Sequence, residues 1–528
     1  MKTLMPPVTN VNKQNAQVIA IGGLNRTENY KDGELEYTRH LSLRKYPYFT
    51  SWIPRAEEEG LTGVSAITVW DGLIYIKDRT MYIGDQAVDH QFMEGPKQFA
   101  MMQNKLVVWP DKVCVNMQTY DVEELAVSLV SSTAEFTEHA LTITTLAGTD
   151  LTAVLKAGDT IRISNLEDDF ITNNGWYTIK SLTEDTLTFD LGTGVSFVTG
   201  IPSVKPVIDR VIPDLAYITV QNNRLWGVDN EEQAIWSSVQ GDPANFYTNK
   251  GIASDANAIP VSSSGPFTGI ACMGTQVLAF KNDVLYKVLG LYPEEYHAYT
   301  YHMEGVKNGC ASSMVMINDS LFYLSDHGVM VYGGTSAVRI SEDLGDRDYS
   351  DASAGTDGDR YYLSCTEGTE DHMFVYDLKT GIWLEEDDLK AVSFARSGSQ
   401  IYVLSEDGTV YKEAAGNEND REMEWSMEFK GFYETATGSS NKKVLAYSLK
   451  RYKRIFLRFS IPAGSVFRMS IKYDNNPWQE VAEFTRKQGV LDVPVPIRKC
   501  DTFKIKMTGK GPFTLLQLMR EFSIRGVR

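Results

Sequence analysis

One pattern that recurs seven times constrains this chain more than any other feature of its sequence. Each copy consists of an apolar strand, a polar turn of two or three residues, a second strand, another turn and a third strand. The first apolar residue after the first turn marks each copy: Leu73, Leu106, Leu225, Val277, Leu321, Tyr361 and Ile401. These markers are 33, 119, 52, 44, 40 and 40 residues apart. Without an insert of about 80 residues, the long step approaches the ~40–50 residues of a four-stranded β-propeller blade.

The spacing therefore predicts an all-β chain that contains a β-propeller of seven blades, or of six if two copies share one blade. Alternating apolar residues such as Ile74, Ile76, Met81 and Ile83 are typical of strands, whereas few windows repeat at helical spacing. A single blade would leave two apolar faces and its strand edges open. Blades therefore stack around a closed ring, which covers both.

Four regions of the chain differ in pattern. We predict an extended N-terminal arm at 1–55, a propeller at 56–124 and 205–420, an inserted small β domain at 125–204, and a C-terminal β-sandwich at 421–528. The insert and the sandwich are predicted from their own runs of alternating strands. A chain of 528 residues is long enough to build several such cores.

Charge is unevenly distributed along the chain. There are 51 Lys and Arg against 69 Asp and Glu, a formal net charge of −18, yet residues 421–528 contain 21 basic and 10 acidic side chains. A basic module can bind nucleic acid or an acidic protein surface. Arg451, Lys453 and Arg458 lie on one alternating strand and are predicted to point outward. Because this module offers no helix or ribbon for a DNA groove, we expect it to contact protein.

The sequence contains no arrangement of residues that predicts catalysis. The acidic run Glu385–Asp388 is contiguous, whereas the two carboxylates of a glycosidase lie about 5–10 Å apart across the scissile bond. His297 and His302, five residues apart, are interpreted as loop residues and not as metal ligands. We therefore predict a protein that is not an enzyme and that has no metal or cofactor site.

Four aspartates of the insert are candidate calcium ligands. They are Asp159, Asp168, Asp169 and Asp190. Because they lack the dense spacing of a calcium loop, they are interpreted as turn residues and solvated edges.

Other features bear on the compartment in which the chain is made. No stretch approaches the ~18 uninterrupted apolar residues of a membrane span, and the N-terminus shows no apolar signal segment. Five scattered cysteines form no disulfide framework. We expect synthesis in a reducing cytoplasm and no membrane span.

Three parts of the sequence resemble a known family. The first contains Gly23–Asn25, Gly33–Leu35, Leu41–Leu43, Tyr46, Pro47 and Arg55. It is similar to the opening of bacteriophage tail-hub and nozzle proteins, which include the packaged-DNA stabilisation proteins of short-tailed phages. The second contains Asn223–Trp226, Ile235–Ser238 and Gly241–Phe246, and it resembles a blade of the same family. The terminal sandwich of the family is similar to Lys442, Lys443, the segment 469–481 and Arg498–Asp501.

The resemblance implies a structural protein of the virion tail, made in the cytoplasm of a bacterial host. It implies a homo-oligomeric ring, a hexamer, below the portal and adaptor, which extends the DNA channel and helps to retain and release the genome. The partners would be further copies, the portal or adaptor, other tail proteins, and viral DNA that passes without sequence-specific binding. The alternative is a carbohydrate- or receptor-binding β-propeller of a tail fibre or surface adhesin.

Large aromatic side chains are concentrated in the N-terminal arm. They are Tyr46, Tyr48, Phe49 and Trp52. Because the arm is too short to form its own core, these side chains need a partner surface. The arm is expected to dock on a neighbouring copy or on the propeller flank, and the alternative is that it caps the first blade of its own chain. The four aromatic residues and the three basic residues named above are the candidate assembly contacts.

Overall fold

The computed structural model describes residues 13–18, 20–434 and 449–524. The chain forms two compact units, the first made of Met1–Thr62, His327–Val331 and Val338–Arg528, the second of Gly63–Asp326 and Tyr332–Ala337. The all-β prediction is confirmed, since the described residues contain one short α-helix, α1 (Leu151–Val154). Short 3-10 helices lie at Asp168–Asn173, Pro293–Glu295, Ala311–Ser313 and Glu342–Leu344. No helix in this part of the chain is long and apolar enough to cross a membrane.

In the part of the chain that the structure describes, seven four-stranded sheets follow five short N-terminal strands. The N-terminal strands are β1 (Lys13–Val18), β2 (Leu35–Arg39), β3 (Leu41–Ser42), β4 (Phe49–Ser51) and β5 (Ala56–Glu57). Sheet 1 contains β6 (Val64–Val69), β7 (Leu73–Lys77), β8 (Thr80–Ile83) and β9 (Gln86–Ala87). Sheet 2 contains β10 (Gln98–Met102), β11 (Lys105–Trp109), β12 (Val113–Asn116) and β13 (Val122–Glu124).

A closed barrel separates sheets 2 and 3 in the sequence. Its strands are β14 (Val127–Phe136), β15 (Ala140–Thr145), β16 (Thr160–Ser164), β17 (Gly175–Leu182), β18 (Thr186–Phe189) and β19 (Val207–Arg210). They close in the order β14-β15-β18-β17-β16-β19, around an apolar core that includes Leu141, Ile161 and Ile208. The sequence places the insert at 125–204, and the barrel strands run from Val127 to Arg210.

Sheets 3 to 5 follow the barrel. Sheet 3 contains β20 (Leu215–Gln221), β21 (Arg224–Asp229), β22 (Ala234–Ser237) and β23 (Asn257–Pro260). Sheet 4 contains β24 (Gly269–Met273), β25 (Gln276–Phe280), β26 (Val284–Leu289) and β27 (His297–His302). Sheet 5 contains β28 (Val315–Ile317), β29 (Ser320–Ser325), β30 (Gly328–Tyr332) and β31 (Ala337–Arg339).

Sheets 6 and 7 complete the series. Sheet 6 contains β32 (Tyr349–Thr356), β33 (Arg360–Glu367), β34 (Glu370–Asp377) and β35 (Ile382–Asp387). Sheet 7 contains β36 (Ala391–Ser397), β37 (Gln400–Ser405) and β38 (Val410–Lys412), and its fourth strand is the N-terminal β5. Tyr411 and Lys412 of β38 pair with Glu57 and Ala56 of β5.

The seven marker residues all lie in the second strand of a sheet, from Leu73 in β7 to Ile401 in β37. The turns that precede them explain the regularity. Asn222 and Asn223 have φ angles of 49° and 55°, the two left-handed residues that a tight hairpin requires. The polar turns of the sequence therefore define where each second strand begins.

Neighbouring sheets within a unit share apolar cores. In the second unit one buried cluster joins sheets 1 and 2, another joins sheets 2 and 3, and a third joins sheets 3 and 4. In the first unit a cluster joins sheets 6 and 7. The first strands of consecutive sheets lie side by side, as β10, β20 and β24 do.

The first unit also contains a two-layered sandwich. Its C-terminal strands are β39 (Glu424–Phe429), β40 (Lys450–Ile461), β41 (Val466–Tyr473), β42 (Gln479–Phe484), β43 (Gln488–Pro494), β44 (Lys499–Cys500), β45 (Phe503–Lys510) and β46 (Thr514–Ile524). One sheet has the order β2-β39-β45-β41-β42; in the other, β4, β1 and β40 all pair with β46. The predicted arm and the predicted C-terminal module thus contribute strands to the same two sheets, around one buried core.

Candidate functional site

The Gly-Leu-Asn segment of the family pattern forms a tight corner against β35. Leu24 donates its N–H to the carbonyl of Trp383 (2.8 Å). The side-chain amide of Asn25 donates to Glu34 Oε2 (2.8 Å), and its side-chain oxygen accepts from both the N–H and the hydroxyl of Thr27 (2.8 Å each). Because Asn25 is only 2% exposed, these bonds satisfy a buried amide. The segment therefore positions the chain and offers no open site.

Gly23 is expected to tolerate no side chain at this corner. Its φ is +83°, and a Cβ there would lie 2.1 Å from Ile382 Cγ2 and 2.9 Å from the carbonyl of Trp383. Gly23→Ala should lower the free energy of unfolding by about 2–4 kcal/mol, from left-handed strain and overpacking together. Gly60→Ala is the control, since Gly60 has φ +79° but open space around it, and should cost about 1–2 kcal/mol. Equal losses in urea unfolding would contradict the steric argument.

The acidic run Glu385–Asp388 contacts arginines of the N-terminal segment. Arg26 lies 2.6 Å from Glu385, Arg39 lies 2.8 Å from Asp388, and Arg55 contacts both Glu386 and Asp387. Every carboxylate of the run thus has a cation from the same chain. We call these four carboxylates the acidic strip, because residues 26–55 pack against it through their arginines. The sequence alone did not connect the strip with these arginines.

Arg55 contacts more carboxylates than the other two arginines beside the acidic strip do. Its guanidinium lies 2.6 Å from Glu413 and 3.4 Å from Glu386, with the three side chains only 2–6% exposed. Burial alone would lower the pKa of Arg55, but the surrounding carboxylates raise it above its ordinary value. The pKa of Glu386 is raised well above 4.5, first by burial and then by the negative charge of Glu413.

Glu386→Gln is expected to change the pH dependence of stability. A glutamate whose folded-state pKa is raised contributes stability below its unfolded pKa of about 4.5, and loses it as the pH rises through the folded value. The variant should therefore gain stability relative to the natural chain as the pH rises above about 4.5. Urea unfolding between pH 4.5 and 8 measures the difference. Glu480→Gln, at an exposed position of β42, is the control and should follow the natural chain.

The second segment of the family pattern fixes a loop beside sheet 3. The guanidinium of Arg224, which is 1% exposed, donates to the carbonyls of Ser238 (2.7 Å), Ala253 (2.6 Å), Ser254 (3.2 Å) and Asp255 (2.5 Å). Burial lowers the pKa of Arg224. Because both terminal nitrogens of its guanidinium donate to backbone carbonyls, this arginine holds the loop in place.

The same family segment anchors the barrel to sheet 3. Asn245 donates its side-chain amide to Asp159 Oδ1 (3.0 Å) and accepts from the N–H of Thr160 (3.0 Å). Asp159 also pairs with Arg210 at 2.7 Å, with the two side chains 0% and 1% exposed. The interpretation of Asp159 as a solvated turn residue was therefore wrong, because this carboxylate is buried and neutralised. The other three aspartates considered as calcium ligands are exposed.

The candidate assembly contacts of the arm divide into two pairs. Tyr46 and Tyr48 are 44% and 43% exposed, whereas Phe49 and Trp52 are buried. Phe49 lies in the sandwich core, and the indole N–H of Trp52 donates to Glu413 (3.2 Å). The buried pair therefore contacts the chain itself, and the exposed pair remains open to a partner.

The basic candidates lie on β40. Arg458 is exposed, and Arg451 and Lys453 are partly exposed, while Tyr452 and Leu457 between them are buried. No carboxylate of the described residues pairs with these three cations, whereas their neighbour Arg454 pairs with Asp492 at 2.6 Å. The predicted Lys442 and Lys443 lie outside the described residues.

A cavity of about 550 Å³ lies among the first strands of sheets 2, 3 and 4. Its walls carry the aromatic rings of Phe99 and Tyr217 and the hydroxyls of Thr219 and Ser312. The one lysine of its lining, Lys97, is buried 2.6 Å from Asp111. The cavity is thus a neutral pocket with aromatic and hydroxyl groups.

Among the residues that the structure describes, no group of three or more His, Cys, Asp or Glu could hold a metal ion. His297 and His302 stand at the two ends of β27. Their interpretation as loop residues was therefore wrong, since both belong to an edge strand.

The chain matches no protein-family model and no curated protein. Solved structures with some likeness include Hsv2 of Kluyveromyces lactis, with 12% identity and a TM-score of 0.29. The match covers 55% of this chain and 75% of the Hsv2 chain. An exo-β-1,3-galactanase of Phanerochaete chrysosporium matches with 10% identity and a TM-score of 0.22, over 58% of this chain and 95% of the galactanase chain. The endosialidase of phage phi92 matches with 10% identity and a TM-score of 0.21, over 92% of this chain and 70% of the endosialidase chain. Scores this low support no inference about the function of this chain.

Proposed function

We propose that this chain is a structural protein of a bacteriophage tail hub or nozzle, located in the virion tail. Copies form a ring below the portal and adaptor, extend the DNA channel, and help to retain and release the genome. The observation that carries the proposal is the role of the family-pattern residues. Asn25, Arg55, Arg224 and Asn245 all make buried contacts that fix segments of the scaffold. Residues that hold the scaffold rigid in this way suit a structural protein that bears force between other proteins.

The proposal includes the finer features predicted from the sequence. The seven four-stranded sheets are the blades of one propeller, the barrel is an accessory domain, and six copies make the ring. The chain has no catalytic activity of its own. Duplex DNA passes through the ring without sequence-specific contacts.

Exposed groups of the first unit supply the contacts between copies or with other tail proteins. Tyr46 and Tyr48 offer aromatic surface, which is common at interfaces. Arg451, Lys453 and Arg458 offer cations that have no carboxylate partner among the described residues. An acidic surface of a neighbour complements them, and such pairing weakens as salt rises.

Imaging of the purified full-length protein tests the proposal. We expect closed rings in negative stain, and dissociation of these rings in the double variant Arg451→Glu/Arg458→Glu. Arg454→Glu on the same strand is the control, because Arg454 is already paired within the chain, and its rings should persist. The proposal would be wrong if the natural chain sedimented as a monomer at every protein concentration tested, both in ~0.1 M and in ~1 M salt.

A second candidate function, carbohydrate binding, is favoured by the neutral cavity among the first strands. Aromatic rings with hydroxyl groups nearby suit a neutral sugar, whose binding calls for apolar surface and a few placed hydrogen bonds. Titration with a panel of neutral oligosaccharides tests this function. Ser312→Trp should occlude the cavity and abolish binding, while Asn308→Trp, exposed outside the lining, should not. Absence of binding at millimolar sugar would exclude it.

A further inference from the structure

The outer edges of the seven four-stranded sheets are protected in different ways, with one exception. Unprotected edges invite pairing with another chain, and proteins avoid this with short strands, charges, proline or a covering segment. The edge strands β9 and β5 have two residues each, β13 and β31 have three and carry charges, and β23 ends at Pro260. The edge of β35 is covered, since Leu24 and His40 donate N–H groups to Trp383 and Glu386 (2.8 and 2.7 Å).

The exception is β27, the outer strand of sheet 4. It has six residues, His297–His302, with the sequence HAYTYH, and contains no proline, lysine, arginine or carboxylate. Five of its six residues are exposed, and the rings of Tyr299 and Tyr301 are 49% and 41% exposed. Among the strands that the structure describes, β27 pairs on one side only, with β26.

The hydrogen-bond pattern shows which backbone groups of β27 are open. Met303, just after the strand, donates its N–H to the carbonyl of Asp283 (3.1 Å). The register between β26 and β27 has no bulge, and bonded pairs alternate along antiparallel strands. Tyr301 and Tyr299 therefore bond to β26 as Met303 does. The N–H and C=O groups of Ala298, Thr300 and His302 are directed away from the sheet.

We propose that β27 pairs with β27 of a second copy of this chain, antiparallel and centred on Thr300. In this register Thr300 bonds to its own counterpart, and Ala298 bonds to His302 of the other copy, so that every outward backbone group finds a partner. Tyr299 then faces Tyr301 of the other copy at the non-bonded positions, where side chains of an antiparallel pair are closest.

The strand itself argues for a second copy as the occupant. The tripeptide Tyr299–Tyr301 (YTY) reads the same in both directions, so antiparallel self-pairing about Thr300 places tyrosine opposite tyrosine. Such aromatic pairs stabilise adjacent strands, and like charges directly opposite would destabilise them. Self-pairing of a strand with lysine, arginine or carboxylate side chains would bring like charges together, and this strand contains none of these residues. The contact closes once two copies have joined, so it is separate from the head-to-tail contacts of the proposed ring.

Cysteine cross-linking of the full-length protein tests both the partner and the register. Tyr299→Cys and Tyr301→Cys are prepared as separate single variants and oxidised alone or as an equimolar mixture. The proposed register places residue 299 opposite residue 301, so the mixture should form a covalent dimer. Each variant alone should give no more dimer than the natural chain, in which four of the five cysteines are buried.

A second measurement does not depend on cysteine. Thr300→Pro removes an outward N–H without removing a bond to β26, and should weaken dimerisation in analytical ultracentrifugation at least tenfold while leaving the melting temperature nearly unchanged. Ser264→Pro, at an exposed loop position, is the control. Dimerisation that is unchanged in Thr300→Pro, or equal cross-linking of each single variant alone, would overturn the proposal. Negative-stain imaging of rings tests the proposed function, whereas cross-linking and ultracentrifugation test the β27 dimer. Either proposal can therefore fail without the other.

Discussion

Arg55→Ala is expected to destabilise the first unit by about 3–5 kcal/mol, because it leaves buried carboxylates without their cation. Glu386 and Glu413 are 4% and 6% exposed, so water cannot replace the guanidinium. The deficit should shrink as the pH is lowered, since protonation then neutralises Glu386, whose folded-state pKa is raised by burial. Urea unfolding at pH 5.5 and 7.5 measures both effects.

An exposed ion pair of the same unit provides the control for Arg55. Arg454 and Asp492 lie 2.6 Å apart, with side chains 48% and 41% exposed. Arg454→Ala should cost at most about 1 kcal/mol, as is usual for surface pairs. If the two alanine variants lost the same stability, Arg55 would have no central role in docking the N-terminal segment.

Arg210→Met should destabilise the second unit to a similar extent, by about 3–5 kcal/mol. The change leaves Asp159 buried with a negative charge, and it also removes the donors to the carbonyls of Leu125 (2.9 Å) and Glu124 (2.6 Å). The double variant Arg210→Met/Asp159→Leu should recover part of this loss, because it removes the unpaired charge. Calorimetry of the full-length protein follows both variants.

The control for Arg210 lies in the same barrel. Arg162 pairs with Asp209 at 3.0 Å, with side chains 47% and 14% exposed. Arg162→Ala should cost about 0.2–1 kcal/mol. A double variant of Arg210 and Asp159 that is less stable than Arg210→Met would contradict the account of a buried charge pair.

The sequence predicted those parts of the fold that depend on local patterns. Each marker residue, such as Leu225, follows a turn whose residues favour left-handed angles, and each lies in a second strand. Strand and turn signals are carried by neighbouring residues, so they can be read without the partner. The outward direction of Arg458 was predicted in the same way, from simple alternation with buried Leu457.

Long-range pairing accounts for what the sequence did not predict. Asp159 looks like a turn residue, and only its contacts with Arg210 and Asn245, 51 and 86 residues away, show that it is buried. The acidic run beside Trp383 likewise gives no local sign that arginines some 330 to 360 residues earlier neutralise it. The strand β5 has two residues, too few for any periodic signal, yet it completes sheet 7.

The shared sheets of the sandwich have a consequence for synthesis. The strands β1 to β4 leave the ribosome early, but their partners β39 and β46 lie near the other end of the chain. At about 5–20 residues per second, the ~400 residues between them take roughly 20–80 seconds to translate. During this interval the apolar side chains of the first strands have no permanent partner. A chaperone that protects nascent chains should therefore raise the yield of this protein, and a slowed ribosome should lower it.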